Sequence, residues 1–264
     1  MPTRRTLLKS GLATLGAASL PGLSGLARAQ DAASGEPSGD AYDTANGGTL
    51  TIRPVQHASF VMETPAGVVY ADPVGGAGLY EGLPRPDLIL LTHEHGDHYD
   101  VPTLEALVGE GTALVTNPAV HGMLPEALKS KATMIANGES TEALGMAIEA
   151  IPAYNLTEER LQYHPRGRDN GYVLDVDGTR VYVSGDTEAV PEMRALEDID
   201  IAFVCMNLPY TMAVGQAAEG VLEFAPKVVY PYHYRDSDPE AFATLVAEGE
   251  GGDAIEVVQG PWYS

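Results

Sequence analysis

Residues 91–100 read LTHEHGDHYD and hold three of the seven histidines in the chain. The apolar run LILL, residues 88–91, leads directly into them and predicts a buried strand. His93 and His95 alternate at the end of this strand, so we expect both imidazoles to point to the same side. The stretch therefore places two ring nitrogens side by side at the point where a strand gives way to a turn.

The turn that follows adds two side chains of related chemistry. Gly96 allows a sharp reversal of the chain, which brings Asp97 and His98 back toward the two earlier histidines. Imidazole and carboxylate groups are ligands suited to zinc, iron and manganese. The stretch predicts a metal site. A solvated loop is the alternative, but loops rarely place three imidazoles beside a buried strand.

Short apolar runs alternate with helical patterns on both sides of this motif. TLTIRPV, SFVMET and GVVYADP are typical of strands, and NGYVLDVDG and TRVYVSGD of a hairpin that turns at Asp177-Gly178. VPTLEALVGEG, AVGQAAEGVLEFA and DPEAFATLVAEG are typical of helices, the first with Asp100 as its expected N-cap. Strands with helices interspersed in both halves predict an α/β fold built in layers, with sheets covered by helices.

The first 29 residues differ in composition from the rest of the chain. They have a basic start with Arg4-Arg5, an apolar Gly/Ala/Leu middle and a small-x-small end at Ala27-Arg28-Ala29. This plan is typical of an export signal and resembles a twin-arginine signal, with an uncleaved anchor as the alternative. It predicts a periplasmic or secreted protein that keeps no stable membrane anchor after cleavage. Residues 30–48 are small, polar and turn-rich, which predicts a flexible linker, so we expect the folded domain at residues 49–264.

Charge and cysteine content narrow the partners. The chain has 37 acidic and 15 basic residues, and residues 1–29 hold four of the bases and no acid. Cleavage would leave 11 bases against 37 acids, a net charge of −26, which repels phosphate backbones and argues against a nucleic-acid partner. Cys205 is the only cysteine, so no internal disulfide forms, and its apolar surroundings predict a buried, inert thiol.

The motif HEHGDH, residues 93–98, resembles the HxHxDH signature of the metallo-β-lactamase fold superfamily. Three further motifs follow that family's order and extend the resemblance along nearly all of residues 49–264. Asp72 in YADP resembles the carboxylate that braces the histidine loop without binding metal. Asp186 in VSGDTE resembles the acid that bridges two cations, and His233 in VVYPYHY resembles a ligand at the end of an apolar strand.

The resemblance implies a fold and a cofactor. The implied fold is a four-layer αβ/βα sandwich of two mixed β-sheets with helices on the outer faces. The implied cofactor is a divalent metal, one or two per chain, with zinc expected and manganese or iron as alternatives. The metal ligands that the resemblance implies are His93, His95, Asp97, His98, Asp186 and His233.

One motif of the family departs from the pattern in this chain. The family has a histidine after a strand where this sequence reads IPAYN, so that Asn155 falls near the expected position. His164, in QYHPRGRDNGY, is the only nearby imidazole. Three interpretations stay open: His164 enters from the loop as ligand or substrate contact, Asn155 supplies an oxygen, or the first metal position is incomplete.

Further motifs resemble the metal-dependent hydrolases related to ascorbate-6-phosphate lactonase and, more loosely, N-acylphosphatidylethanolamine-hydrolysing phospholipase D. These motifs are QHASFVME, NGYVLDVDGTRVYVSGDTE and VVYPYHY. The resemblance implies that His57 lies near the substrate, although a histidine paired with backbone between strands is an equal alternative. Arg166 and Arg168 are rare bases that could clamp a phosphate or carboxylate, with a solvated pair of loop charges as the alternative.

The resemblance implies an exported hydrolase that uses a metal-bound hydroxide on a small-molecule ester, lactone or phosphodiester. Asp97 is the expected catalytic residue, either as ligand to a second metal or as the base that orients the nucleophile. Two other functions stay open. One is a membrane-facing lipid phosphodiesterase of the phospholipase D kind, and the other is a non-catalytic metal-binding protein that lost a ligand at Asn155.

Overall fold

The computed structural model describes residues 28–30 and 39–263. Within these described residues, fifteen strands lie in two mixed sheets of eight and seven strands. The strands of the first sheet, in spatial and chain order, are β1 (Arg28–Gln30), β2 (Asp40–Asp43), β3 (Thr49–Gln56), β4 (Ser59–Thr64), β5 (Gly67–Ala71), β6 (Leu88–Leu91), β7 (Ala113–Thr116) and β8 (Ala132–Met134). The strands of the second sheet are β9 (Ser140–Ala143), β10 (Met146–Ala153), β11 (Asp169–Val176), β12 (Thr179–Val183), β13 (Ile201–Cys205), β14 (Val228–Tyr232) and β15 (Glu256–Val257).

The two sheets share one plan of strand direction. In each sheet the early strands, up to β5 in the first and β12 in the second, pair antiparallel, and the later strands pair parallel. The parallel parts need crossovers. The crossover from β5 to β6 contains a 3-10 helix (Ala77–Tyr80), and the others contain α-helices. These helices are α1 (Val101–Leu107), α2 (Pro118–Met123), α3 (Glu126–Lys129), α4 (Pro191–Arg194), α5 (Val214–Phe224) and α6 (Pro239–Glu248).

Strand β6 shows why its sequence is apolar throughout. Leu88 and Leu90 belong to the core between the sheets, whereas Ile89 and Leu91 belong to a second apolar cluster that includes side chains of α1 and α2. A strand buried on both faces reads as a continuous apolar run rather than an alternating one. The four-layer αβ/βα sandwich of two mixed sheets with outer helices is confirmed. Among the described residues, no helix combines the length and apolar character that crossing a bilayer requires.

The folded domain begins earlier than the sequence predicts. Strand β2 pairs antiparallel with β3 and lies within residues 30–48, where a flexible linker is predicted. Tyr42 of β2 is buried, and its hydroxyl lies 2.5 Å from that of Tyr230. A four-residue strand in a small, polar stretch carries too little pattern to be recognised without its pairing partner. Residues 1–27 of the predicted signal and 31–38 of the predicted linker lie outside the described residues.

One predicted helix cap is realised differently. Asp100 precedes α1 with an extended backbone, as expected of an N-cap, yet its side chain accepts no hydrogen bond from a helix amide. Its carboxylate accepts a hydrogen bond from the Thr103 hydroxyl instead. The end of the HEHGDH loop is therefore linked to the first turn of α1 by the Asp100–Thr103 side-chain hydrogen bond.

Candidate metal centre

The predicted site residues meet at the carboxyl ends of strands. Asp72 follows β5, the HEHGDH loop follows β6, and His233 follows β14. Asp72 and His233 have positive φ angles, as do His57 and Arg235, which lie beside them. These are four of the eight non-glycine residues with positive φ that the structure describes. Such backbone strain persists where the surroundings enforce it, typically at functional sites.

Asp186 lies at the centre of the cluster. Its Oδ1 atom is 3.3 Å from His98 Nε2 and 3.4 Å from His233 Nδ1. Its Oδ2 atom is 3.3 Å from His164 Nε2 and 4.0 Å from His93 Nε2. The two carboxylate oxygens thus face two different sets of imidazoles, which is the arrangement needed to bridge two cations.

The first set of ligand atoms contains the histidine that the sequence left open. His93, His95 and His164 place ring nitrogens within 4.8 Å of one another. His93 Nε2 and His95 Nδ1 are 3.1 Å apart. The structure therefore brings the loop residue His164, and not Asn155, to the two strand-end histidines.

Asn155 holds the loops around this set. Its amide group donates hydrogen bonds to the carbonyl oxygens of Arg160 (2.9 Å) and Tyr210 (2.7 Å). Its backbone N–H donates to the carbonyl oxygen of His164 at 2.8 Å. Asn155 thus fixes the segment that carries His164.

The second set contains the acidic residue of the motif. His57, Asp97 and His233 also place ligand atoms within 4.8 Å of one another. Asp97 Oδ2 lies 3.1 Å from His57 Nε2 and 3.4 Å from His233 Nε2. His57 Nδ1 lies 2.5 Å from the hydroxyl of Tyr263. His57 thus lies among the potential ligand atoms, with side-chain partners on both nitrogens, rather than paired with backbone through its ring.

Carboxylates behind the cluster orient the imidazoles. Asp72 Oδ2 lies 2.7 Å from His98 Nδ1, and the same carboxylate accepts hydrogen bonds from the backbone N–H (2.8 Å) and hydroxyl (2.6 Å) of Thr92. Asp169 Oδ2 lies 2.9 Å from His164 Nδ1. A carboxylate on one ring nitrogen fixes the tautomer and leaves the other nitrogen free for a metal. The structure places Asp72 in the predicted bracing position and adds Asp169 in the same role.

Several of the ring nitrogens that face inward have no hydrogen-bond partner. His98 Nε2, His164 Nε2, both ring nitrogens of His233 and Oδ1 of Asp186 are buried and unpaired. The four nitrogens lie 3.3–3.4 Å from carboxylate oxygens without forming a hydrogen bond to them. Buried polar atoms are almost always satisfied, so convergent unpaired ligand atoms of this kind fit divalent cations.

Both inward carboxylates are held in the charged form. Burial alone would raise the pKa of Asp186, but His233, His98 and His164 hold it well below its ordinary value. Burial likewise opposes ionisation of Asp97, and the adjacent rings of His233 and His57 nevertheless lower its pKa well below the usual range. Ionised oxygens are the form that ligates a cation.

The histidines of the first set differ in charge. Burial lowers the pKa of His93 well below its ordinary value and also lowers that of His95, so both rings are neutral at pH 7. For His164, burial opposes protonation, but the neighbouring carboxylates of Asp169 and Asp186 raise its pKa to about 9. A cation that binds His164 must therefore displace a proton at neutral pH.

A cleft of about 460 Å³ opens above the cluster. The side chains that line it and carry chemistry are His95, Asp97, His164, Asp186, His233 and Arg235, together with Tyr163 and Tyr210. Arg235 is a site residue that the sequence did not single out, because an exposed loop arginine has no local pattern. Tyr263 and the buried Asp169 were also missed.

The two arginines that the sequence did single out have other partners. Arg166 pairs with Glu192 at 2.9 Å, lies over the ring of Tyr154 at 5.1 Å and lines no cleft of the metal centre. Arg168 pairs with Glu94 at 2.9 Å and with Asp169 at 2.6 Å. Neither guanidinium lines the cleft. The structure therefore does not support a role for Arg166 as a clamp on the substrate.

Comparison with known proteins agrees with this geometry. The sequence profile of the Beta-lactamase superfamily domain matches residues 51–233, a span that includes every candidate ligand. The chain belongs to the metallo-β-lactamase superfamily. A UPF0173 metal-dependent hydrolase of Pyrococcus horikoshii is 30% identical over 215 residues, which cover 76% of this chain and 92% of the relative. A second, of Thermococcus onnurineus, is 32% identical over 181 residues, or 65% of this chain and 77% of the relative.

The structural relative agrees with the sequence relatives. A protein of Parabacteroides distasonis described as a metal-dependent hydrolase superposes with a TM-score of 0.77 at 39% identity. The match covers 85% of this chain and 99% of that chain. The chain is a metal-dependent hydrolase of the metallo-β-lactamase superfamily, with His/Asp groups suited to hold its metal.

Proposed function

We propose that this hydrolase is an exported enzyme that holds two divalent cations and cleaves a small ester, lactone or phosphodiester. The observation that carries the proposal is the set of buried, unpaired ligand atoms that converge on Asp186 beneath an open cleft. The proposed ligands of the first cation are His93, His95 and His164. Those of the second are Asp97, His98 and His233, and Asp186 bridges the two.

The donor set favours zinc, with manganese and iron as alternatives. The set consists of imidazoles and carboxylates and includes no thiolate, since Cys205 is buried in the core. When bound, a divalent cation lowers the pKa of water toward neutrality and polarises a carbonyl or phosphoryl oxygen. The ionised state of Asp186 is what lets one side chain serve both positions.

Asp97 is the proposed catalytic residue. Its pKa lies well below the usual range, so it is ionised and available as a ligand at neutral pH but is a weak proton acceptor. We therefore assign it to hold the second cation and to orient the attacking water rather than to act as a strong base. His57, 3.1 Å from Asp97, would fix that carboxylate and lie beside the substrate.

A panel of three substrate classes tests this proposal. The metal-loaded chain would be assayed with a p-nitrophenyl ester, a γ-lactone and bis(p-nitrophenyl) phosphate, beside the Asp186→Asn variant and a chelator-treated sample. We expect turnover of at least one class, lost in both controls. Full metal loading without turnover of any class would instead support the non-catalytic alternative.

The lipid phosphodiesterase alternative has one observation in its favour. Four large apolar residues are exposed on the loops beside the cleft, namely Leu156, Leu161, Leu208 and Tyr210. The acidic surface opposes binding to anionic bilayers, so we rank a small substrate first. Hydrolysis of a dispersed phospholipid at a higher kcat/KM than of bis(p-nitrophenyl) phosphate would reverse this order.

Export through the twin-arginine route rests on the sequence of residues 1–29. A double Arg4→Lys, Arg5→Lys variant should stay inside the cell, whereas the unchanged chain should be found in the periplasm or the medium. Equal distribution of the two after fractionation would contradict the proposed signal.

A further inference from the structure

Positive charge is scarce around the metal centre. Two clefts meet there, the one of about 460 Å³ above the ligands and a second of about 1060 Å³ beside it. The residues that line both are Gly96, Asp97 and Arg235. Among the described residues that line either cleft, Arg235 is the one lysine or arginine. A guanidinium at the junction of two clefts can be reached from both.

The backbone of Arg235 is fixed and its side chain is loosely held. Its N–H donates a hydrogen bond to the Tyr263 hydroxyl at 2.9 Å. Its Nη2 atom lies 3.4 Å from Asp97 Oδ2, longer than the 2.7–2.9 Å usual for a charge-assisted hydrogen bond, and half of the side chain (52%) is exposed. An exposed ion pair of this kind contributes little to stability, so the guanidinium can leave Asp97 for a better anion.

Metal binding would favour that exchange. Metal binding leaves the histidines neutral, so the charged groups that line the smaller cleft are then the carboxylates of Asp97 and Asp186 and the guanidinium of Arg235, whose sum is negative. A single divalent cation makes it positive. A cation on Asp97 also takes over the charge that now faces Arg235. The metal-loaded cleft thus attracts an anion and releases the Arg235 guanidinium to bind it. The rest of the chain is acidic and repels anions.

We propose that Arg235 binds the anionic group of the substrate, a carboxylate or a phosphate, and so selects an anionic ester over a neutral one. This inference rests on the proposed hydrolase function. The anion lies at the junction, the scissile bond lies toward Asp97, and the rest of the molecule extends into the larger cleft, beside Val55, Leu79 and Trp262. Arg235 is thus a specificity-determining residue, in the place that the sequence assigned to Arg166.

A pair of esters that differ by one charge tests the selection. The neutral ester is p-nitrophenyl butyrate and the anionic one is mono-p-nitrophenyl glutarate. We expect the wild-type ratio of kcat/KM, anionic over neutral, to fall by about tenfold in Arg235→Gln, since a hydrogen bond to a charged group is lost. The ratio for Arg235→Lys should lie between those of wild type and Arg235→Gln. Arg166→Gln removes the same charge from a surface pair outside the clefts and should keep the wild-type ratio.

A binding readout separates this inference from the function on which it rests. Trp262, the only tryptophan in the chain, lines the larger cleft, so its fluorescence can report ligands there. Glutarate and inorganic phosphate would be titrated separately into metal-loaded wild type, Arg235→Gln and Arg166→Gln. We expect the dissociation constant of the tighter-binding anion to rise about tenfold in Arg235→Gln alone.

The outcomes distinguish the two proposals. If wild type turns over neither these esters nor any class of the substrate panel, but anion binding still depends on Arg235, the anchor stands and the hydrolase proposal fails. If both esters turn over with the same ratio in wild type and Arg235→Gln, the hydrolase proposal stands and the anchor is wrong. Anion binding of equal strength in all three proteins also overturns the anchor.

Discussion

Replacement of Asp72 by Asn tests how the fold holds a ligand in place. Asp72 is buried and accepts three hydrogen bonds at 2.6–2.8 Å, two from Thr92 and one from His98 Nδ1. An asparagine oxygen can keep the bond from the Thr92 N–H. Its NH₂ group then faces His98 Nδ1, so the ring must give up the proton there or lose the contact. A proton moved to His98 Nε2 occupies the nitrogen that faces Asp186.

The expected size of the effect follows from that single contact. A hydrogen bond to a charged group contributes about 1.5–3 kcal/mol, and about 1.4 kcal/mol corresponds to tenfold in an equilibrium constant. Loss of a partner that orients a metal-bound histidine typically costs about 10–100-fold in metal affinity. Both routes give a weakening of at least about tenfold for Asp72→Asn.

Competition with a chromophoric chelator measures this affinity directly. Asp87→Asn is the matched control, because Asp87 also accepts a backbone N–H bond, from Val68 at 2.9 Å, at a position outside the metal centre. Circular dichroism of the metal-free variants would show that each still folds. An Asp72→Asn chain that folds and binds metal as tightly as Asp87→Asn would refute the bracing role.

Three further predictions follow from individual contacts. His164 has a raised pKa of about 9 and is protonated below it, so the apparent metal affinity should rise as pH increases from 6.5 to 8.5, and Asp169→Asn should flatten that rise. Chelator competition at several pH values measures both effects, and a flat wild-type profile would contradict displacement of a proton from His164. Burial raises the pKa of the Cys205 thiol to about 12, so a thiol reagent at pH 8 should label the chain only after denaturation, and rapid labelling of the native chain would be the contrary result. Gly171→Ala would place a Cβ 2.8 Å from the carbonyl oxygens of Val183 and Ser184, so urea denaturation should show a loss of about 1–3 kcal/mol in unfolding free energy. A loss below about 0.5 kcal/mol would mean that the backbone around Gly171 shifts to accommodate the methyl group at little cost.

The sequence predicted the parts of the site that follow strands. His93, His95, Asp97 and His98 lie together because one strand and one turn fix them all. Asp186 and His233 joined them through motif resemblance, since each follows a buried strand and parallel strands end at a common edge. Local pattern is sufficient for such residues because the strand itself determines where the next side chain points.

The remaining site residues depend on contacts that no local pattern records. His164 lies on the loop between β10 and β11, and its position is set by Asp169 and by the backbone bond from Asn155. Arg235 and Tyr263 meet through a bond across 28 residues of chain. Strand β2 was missed for a similar reason, because it is defined by its pairing with β3, whereas its own short sequence is polar.

Metal content per chain shows whether His164 completes the first of two metal positions that share Asp186. Elemental analysis of the loaded protein should give two divalent cations per chain in wild type, one in His164→Ala and fewer than one in Asp186→Ala. A count in His164→Ala equal to that of wild type would contradict the account, because His93 and His95 would then hold their cation without the third histidine.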